Sequence, residues 1–157
     1  MQGDVSVIQK LNDVLADELI SINQYFLHAR MAKNWGLSVL DKVEYKKSIK
    51  DMKQADALIE RILFLEGIPN LQKLGKLYIG EDVPEILSCD LRFQTQSLAT
   101  LRDAIEHCES QRDYVSRDVL RELLSYEEEH FDWIETQRDL IEKMGLENYT
   151  QSLLGEE

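Results

Sequence analysis

Two long stretches of the chain contain neither glycine nor proline. Residues 37–66 and 85–144 lack both, although the 157-residue chain has seven glycines and two prolines. Because these residue types interrupt regular structure most strongly, such stretches are available for uninterrupted helices. Apolar residues within them recur every three or four positions rather than every two, which is typical of amphipathic helices. The sequence therefore predicts an all-α protein.

The same pattern predicts four long helices and a short fifth one. We place them at about residues 4–34, 39–65, 85–110, 114–144 and 146–153. Gly36 and Gly145 mark helix ends, because glycine readily adopts the left-handed conformation that closes a helix. The connection 66–84 can run the length of a helix at ~3.3 Å per residue, which allows the second and third helices to be parallel. We expect one domain, residues 1–157, folded as a ferritin-like four-helix bundle with one long crossover and a short C-terminal helix.

The charge balance of the chain narrows the choice of partners. Thirty acidic residues against eighteen lysines and arginines leave a formal charge of −12 with the histidines neutral. Nucleic acid and anionic membrane surfaces would be repelled, whereas cations would be attracted. No stretch approaches the ~18 apolar residues of a membrane span, and the first residues do not resemble a secretory signal. We therefore expect a cytoplasmic protein with no nucleic-acid or membrane partner.

Polar residues interrupt the core-facing stripe of every long helix. On the fourth helix, Glu127 and His130 stand one turn apart among leucines and an isoleucine. The other three helices contribute Glu18, the pair Asp51 and Gln54, and Gln94. Because an unpaired buried carboxylate costs several kcal/mol, we expect these groups to meet one another.

Polar groups in this arrangement are typical of di-iron bundles. Such bundles use one glutamate from each of two helices and a Glu-x-x-His motif from each of the other two. Glu18 and the pair Glu127 and His130 fit this pattern. Asp51 with Gln54, and Gln94, do not fit it.

The whole chain resembles bacterioferritin, the heme-containing family of ferritins. Four stretches carry the resemblance: LNDVLADELISINQYFLHARMAKNWGL at 11–37, RILFLEGIPNLQKLGKL at 61–77, DYVSRDVL at 113–120 and EEEHFDWIETQRDLIEKMGLENYTQS at 127–152. The resemblance implies a hollow cage of twenty-four subunits that stores ferric mineral. It also implies heme b shared between two subunits at a two-fold interface.

The resemblance places the family's six di-iron ligands on positions 18, 51, 54, 94, 127 and 130. Three of them differ here, because Asp51 stands for glutamate, Gln54 for histidine and Gln94 for glutamate. We therefore expect no intact two-iron ferroxidase centre, and no residue is assigned a catalytic role. Gln54 and Gln94 can instead donate hydrogen bonds to the neighbouring carboxylates in place of a metal. The alternative at this site is one weakly held divalent cation on Glu18, Asp51, Glu127 and His130.

Met52 lies one residue, about 100°, around the second helix from Asp51, so it does not face the di-iron position. Taken alone, a methionine on an apolar stripe indicates packing or an interface. The resemblance instead implies that Met52 is an axial heme ligand, with one methionine from each of two subunits. It also implies the walls of the heme pocket, which are Leu19, Ile22, Asn23, Phe26 and Tyr45.

Other positions acquire roles only from the resemblance. It implies a pore for iron between subunits, lined by Asn34, Glu66, Asp132 and Asp139, and a docking surface for a small iron–sulfur ferredoxin at Ile68, Glu81 and Glu85. On the residues alone, the acids are ordinary solvated groups. His28 and His107 have no ligand partner at helical spacing, so we expect them at the surface or an interface.

Three functional hypotheses remain open on the sequence. The first is a heme-binding subunit of an iron-storage cage with an impaired ferroxidase centre, which shares its cage with a ferroxidase-competent subunit and conducts electrons to the mineral. The second is a self-sufficient ferroxidase that uses the altered ligands. The third is a bundle scaffold with neither iron nor heme. The sequence leaves open whether the cage contains one subunit type or two.

Overall fold

The computed structural model describes residues 1–73 and 75–155, which form five helices. They are α1 (Val5–Asn34), α2 (Ser38–Phe64), α3 (Val83–Ser110), α4 (Tyr114–Met144) and α5 (Leu146–Ser152). No strand occurs in the described residues. The prediction of an all-α chain with four long helices and a short C-terminal one is confirmed, and the bounds differ by two residues at most. Among the described residues, no helix is both long and apolar enough to cross a membrane.

Polar contacts between helices give the helix directions. The pairs along α1 are Glu18–Gln54, Ser21–Asp51, Lys10–Asp103 and Gln24–Asp90. Residue numbers rise along α1 while those of the partners fall in both α2 and α3. Both helices therefore run antiparallel to α1 and parallel to each other. The connection 65–82 is the long crossover that this arrangement requires.

Side chains and glycines at the predicted boundaries fix where the helices begin and end. The carboxylates of Asp4, Asp82 and Asp113 accept hydrogen bonds from backbone N–H groups in the first turns of α1, α3 and α4. Such caps satisfy donors that have no partner within the helix. Gly36 and Gly145 have φ angles of 80° and 82°, the left-handed conformation expected of them.

Two apolar clusters occupy the two ends of the bundle. One contains Leu11 and Leu15 of α1 together with Leu58, Leu101 and Leu120 of the other long helices. The other contains residues at the far end of α1 and the start of α2, and α5 covers it with the buried side chains of Tyr149 and Leu153. Between the clusters, α1 presents buried polar residues from Glu18 to His28. The fold therefore places a layer of buried polar residues, called the polar layer, between two apolar clusters.

Candidate metal centre

The six positions predicted to meet do lie together in the polar layer. Their side chains come from all four long helices, and none is more than 8% exposed; they are Glu18, Asp51, Gln54, Gln94, Glu127 and His130. One oxygen from each of Glu18, Asp51 and Glu127 lies within 4.8 Å of the other two. The helical stripes read from the sequence therefore converge on one cluster of carboxylates.

Two glutamine amides bind these carboxylates directly. Gln54 Nε2 donates to both oxygens of Glu18 at 3.2 Å and to Glu127 Oε1 at 2.9 Å. Gln94 Nε2 donates to Glu127 Oε2 at 2.7 Å, and Gln94 Oε1 accepts from the Tyr25 hydroxyl at 3.2 Å. The amide contacts expected to replace a metal are thus present for Glu18 and Glu127.

A lysine that the sequence analysis did not identify lies inside the cluster. Lys47 is only 1% exposed, and its Nζ lies 2.5 Å from Asp51 Oδ1. The same ammonium lies 3.2 Å and 3.1 Å from Glu127 Oε1 and Oε2, and 3.4 Å from Ser21 Oγ. Ser21 Oγ in turn donates to Asp51 Oδ2. An internal cation is therefore already paired with two of the three carboxylates.

The signal that could have revealed Lys47 is its helical spacing. Lys47 precedes Asp51 by four residues, so both side chains project from the same face of α2. Extending the core stripe of α2 one turn toward its N-terminus would have included Lys47. The predicted core stripe of α2 begins at Asp51 and therefore leaves the lysine out.

The carboxylates of the cluster differ in the direction of their pKa shifts. Burial, reinforced by the charges of Asp51 and Glu127, raises the pKa of Glu18 well above its usual value. Burial also raises the pKa of Asp51, to about 7. Burial alone would raise the pKa of Glu127, but the Lys47 ammonium and the amide donors lower it below its usual value.

Burial opposes the charged form of both basic side chains of the site, but the net shifts of their pKa values have opposite directions. Burial opposes the charged form of Lys47, but the carboxylates around it outweigh this effect and raise its pKa. Burial lowers the pKa of His130 to about 4, so this imidazole is neutral at physiological pH. Its Nε2 is buried and has no hydrogen-bond partner among the described residues. The ring stacks on Trp133 with centroids 5.6 Å apart.

A second buried polar cluster lies nearer the end of the bundle that α5 covers. His28, Glu44 and Asp90 are all fully buried. The Gly80 N–H donates to His28 Nε2 at 3.0 Å, so the proton of the neutral ring is on Nδ1, which donates to Asp90 Oδ1 at 2.9 Å. Burial and the nearby Asp90 raise the pKa of Glu44 well above its usual value. The expectation that His28 lies at the surface or an interface was wrong, since its side chain is fully buried and its partners come from the crossover and α3.

The donor set does not fit two iron ions. A di-iron pair needs enough anionic oxygens to balance two divalent cations, whereas this site has three carboxylates, two of which are already paired with the Lys47 ammonium. The other surrounding groups are two neutral amides, one imidazole and an ammonium. We therefore derive no two-iron chemistry from it.

Candidate heme-pocket residues form an exposed apolar face of α1 and α2. The Phe26 and Tyr45 rings lie 6.3 Å apart across the two helices, and the side chains are 47% and 40% exposed. Met52, two turns further along α2, is 54% exposed. Leu19 and Asn23 line an adjoining groove of about 280 Å³ with residues of the crossover. The structure thus places Phe26, Tyr45 and Met52 on an accessible face of a single subunit, whereas Ile22 is partly buried against the apolar core.

Comparisons with known proteins agree with this architecture. A model of the ferritin-like domain matches residues 8–144. The chain is 46% identical over 151 residues to a bacterioferritin of Brucella melitensis, covering 96% of this chain and 94% of the relative. It is 43% identical to a bacterioferritin of Rhodobacter capsulatus, covering 95% and 92%. The chain belongs to the bacterioferritin family. A bacterial ferritin of Synechocystis is 42% identical, covering 97% of this chain and 98% of that protein.

The positions assigned to a pore by the bacterioferritin resemblance are exposed but do not meet within one subunit. Asn34 ends α1, whereas Glu66 follows the end of α2, near Gly3 at the opposite end of the bundle. The thirty residues of α1 separate these ends by ~45 Å. Asp132 and Asp139 lie on the exposed face of α4. Only contacts between subunits could bring all four together.

The residues assigned to ferredoxin docking are likewise far apart. Ile68 is 84% exposed, and its carbonyl accepts from Asn12 on α1. Glu81 and Glu85 are exposed at the other end of the crossover, where Gly80 contacts His28. Sixteen residues of α1 separate those two contacts, which corresponds to ~24 Å. A compact docking surface would therefore also need a second subunit.

Replacing Gln94 with alanine should destabilise the fold. Gln94→Ala removes the closest donor to buried Glu127 and the acceptor of Tyr25, so we expect a loss of about 1–3 kcal/mol in the free energy of unfolding. Urea unfolding at matched protein concentration measures it. Gln96→Ala, at an exposed position on the same helix, is the control. Equal effects of the two substitutions would contradict the role given to Gln94.

Proposed function

We propose that this chain is a subunit of an iron-storage cage that binds heme between pairs of subunits and has an impaired ferroxidase centre. In this proposal, twenty-four subunits enclose ferric mineral in the cytoplasm, and iron reaches the interior through pores between subunits. The heme conducts electrons to the mineral when stored iron is reduced. Membership of the bacterioferritin family supports the iron-storage role.

The observation that carries the impaired centre is the state of its carboxylates. Glu18 and Glu127 are bound by the Gln54 amide, and Glu127 is also bound by the Gln94 amide. These donors occupy oxygen lone pairs that a ferroxidase centre would present to iron. A neutral amide also supplies no negative charge to balance Fe(II). The subunit therefore depends on another source of iron oxidation.

Such a source is a second subunit type in the same cage. A ferritin-family partner with a complete ligand set would oxidise Fe(II), while this chain would bind heme and form part of the cage wall. A mixed cage would thus divide oxidation and reduction of iron between two kinds of subunit. A small iron–sulfur ferredoxin, docked near Ile68, Glu81 and Glu85, would supply the reducing electrons.

The exposed apolar face around Met52 supports the heme assignment. Phe26, Tyr45 and Met52 are large side chains, and each is at least 40% exposed on one side of α1 and α2. A second copy facing this surface would bring two thioethers to opposite sides of a shared heme. Thioethers are neutral, so no uncompensated charge is buried in that pocket. Bound heme would supply electron transfer across the cage wall.

Iron oxidation by the purified homopolymer tests the impaired centre. After Fe(II) is added in air, near-ultraviolet absorbance of ferric products should rise no faster than in buffer containing an unrelated protein. Cages reconstituted with a bacterioferritin that has the full ligand set should show the fast phase. Fast, sustained oxidation by the homopolymer would favour the self-sufficient ferroxidase instead.

The heme assignment is tested by replacing Met52 with leucine. Met52→Leu nearly conserves volume, so a packing role predicts a loss of stability below ~1.5 kcal/mol and an unchanged spectrum. A ligand role predicts loss of the heme Soret band while helicity and cage assembly survive, because leucine has no lone pair to donate. Met144→Leu, at an exposed position on α4, should keep the heme. Full heme content with an unaltered spectrum in Met52→Leu would refute the assignment.

A further inference from the structure

We propose that the Lys47 ammonium permanently occupies the metal position of the centre and excludes divalent cations from it. This inference rests on the proposed impaired centre and adds to it a specific cause. The altered ligands weaken the attraction for iron, whereas Lys47 supplies a built-in competitor. The centre is then a metal-independent structural element of the subunit rather than an incomplete metal site.

The contacts of Lys47 use the full donor capacity of an ammonium. An ammonium has three N–H donors, and Nζ has partners in Asp51 Oδ1, the Glu127 carboxylate and Ser21 Oγ. Its charge also lies 4.7 Å from the centroid of the Tyr25 ring, a favourable cation–π distance. With only 1% of the residue exposed, water is not needed to complete this shell.

Glu127 shows how completely protein donors have replaced a metal. Its Oε1 accepts hydrogen bonds from Gln54 Nε2 at 2.9 Å and from Lys47 Nζ at 3.2 Å. Its Oε2 accepts a hydrogen bond from Gln94 Nε2 at 2.7 Å and lies 3.1 Å from Lys47 Nζ. A carboxylate offers about four lone-pair sites; the two amides and one Lys47 N–H occupy three of them, and the ammonium charge lies close to Oε2 as well. Binding a cation there would require breaking several of them.

The ammonium also opposes a metal by its charge. A divalent ion bound between Asp51 and Glu127 would lie next to a positive charge that is attached one turn away on the same helix. Like charges at such short distance repel strongly in a buried site, where the effective dielectric constant is low. Lys47 could move away only by giving up its buried partners. Removing the charge should therefore matter more than changing any one ligand.

Donors suited to a single metal ion remain around Lys47. Glu18, Asp51 and Glu127 offer oxygens within 4.8 Å of one another. His130, one turn from Glu127 on α4, lies outside that group, but its buried Nε2 has no hydrogen-bond partner among the described residues. The three carboxylate oxygens, with the imidazole turned toward them, suit Zn(II) or Co(II). We infer that a variant without the lysine charge acquires a one-metal site.

Cobalt binding to Lys47→Gln tests this inference without heme or iron. Metal-free wild type, Lys47→Gln and the exposed control Lys46→Gln are titrated with Co(II) without oxygen, and visible d–d absorption reports inner-sphere binding. We expect Lys47→Gln to bind at least about tenfold more tightly than the wild type or the control. Adding His130→Ala to Lys47→Gln should abolish the new absorption, which localises it to the centre. Zn(II) should raise the melting temperature of Lys47→Gln only.

Two results would overturn the inference. One is a Co(II) spectrum of the wild type that His130→Ala removes, since it would place a metal beside Lys47. The other is a folded Lys47→Gln that binds Co(II) no better than the wild type. Lys47→Met, which is apolar and of similar length, replaces Lys47→Gln if the latter does not fold, and the wild-type measurement needs neither variant. Slow iron oxidation by the wild type combined with either result would reject the role of Lys47 and leave the impaired centre standing.

Discussion

The buried ion pairs of Lys47 with Asp51 and Glu127 are the interaction on which the interior of this bundle depends. A carboxylate removed from water costs several kcal/mol unless a cation or strong donors accompany it. Here Lys47, Gln54 and Gln94 supply that compensation from within the chain. The polar layer can thus form in the absence of a metal, which distinguishes it from a site built to be completed by iron.

The rest of the architecture follows from placing this layer between two apolar ends. Leucines of all four long helices pack at one end, and α5 closes the other with Tyr149. The crossover extends the polar layer, because the Gly80 N–H fixes the tautomer of His28, which in turn donates to Asp90. The chain leaves Phe26, Tyr45 and Met52 exposed on the outer face of α1 and α2, where a second subunit can cover them.

Local signals in the sequence predicted most of the fold. The lack of glycine and proline within long periodic stretches gave helix positions within two residues, and the polar interruptions identified Glu18, Asp51 and Glu127 as members of one cluster. Lys47 was not predicted as a member of the site because lysine is rarely fully buried, so its charge indicated a solvated position. The burial of His28 was not predicted because its partners lie on the crossover and α3, more than fifty residues away in sequence. The pore and docking surfaces that the resemblance implies would depend on neighbouring subunits, which neither the sequence pattern nor one chain can supply.

The central claim is that iron passes through and around this subunit without occupying its centre. Crystals of the homopolymer exposed to Fe(II) in air, measured at the iron absorption edge, test it most directly by anomalous scattering. The account predicts iron at the shared heme and inside the cage, with no peak among Glu18, Asp51 and Glu127 and with Lys47 still between the last two. One or two iron peaks within those carboxylates, with Lys47 displaced, would contradict it.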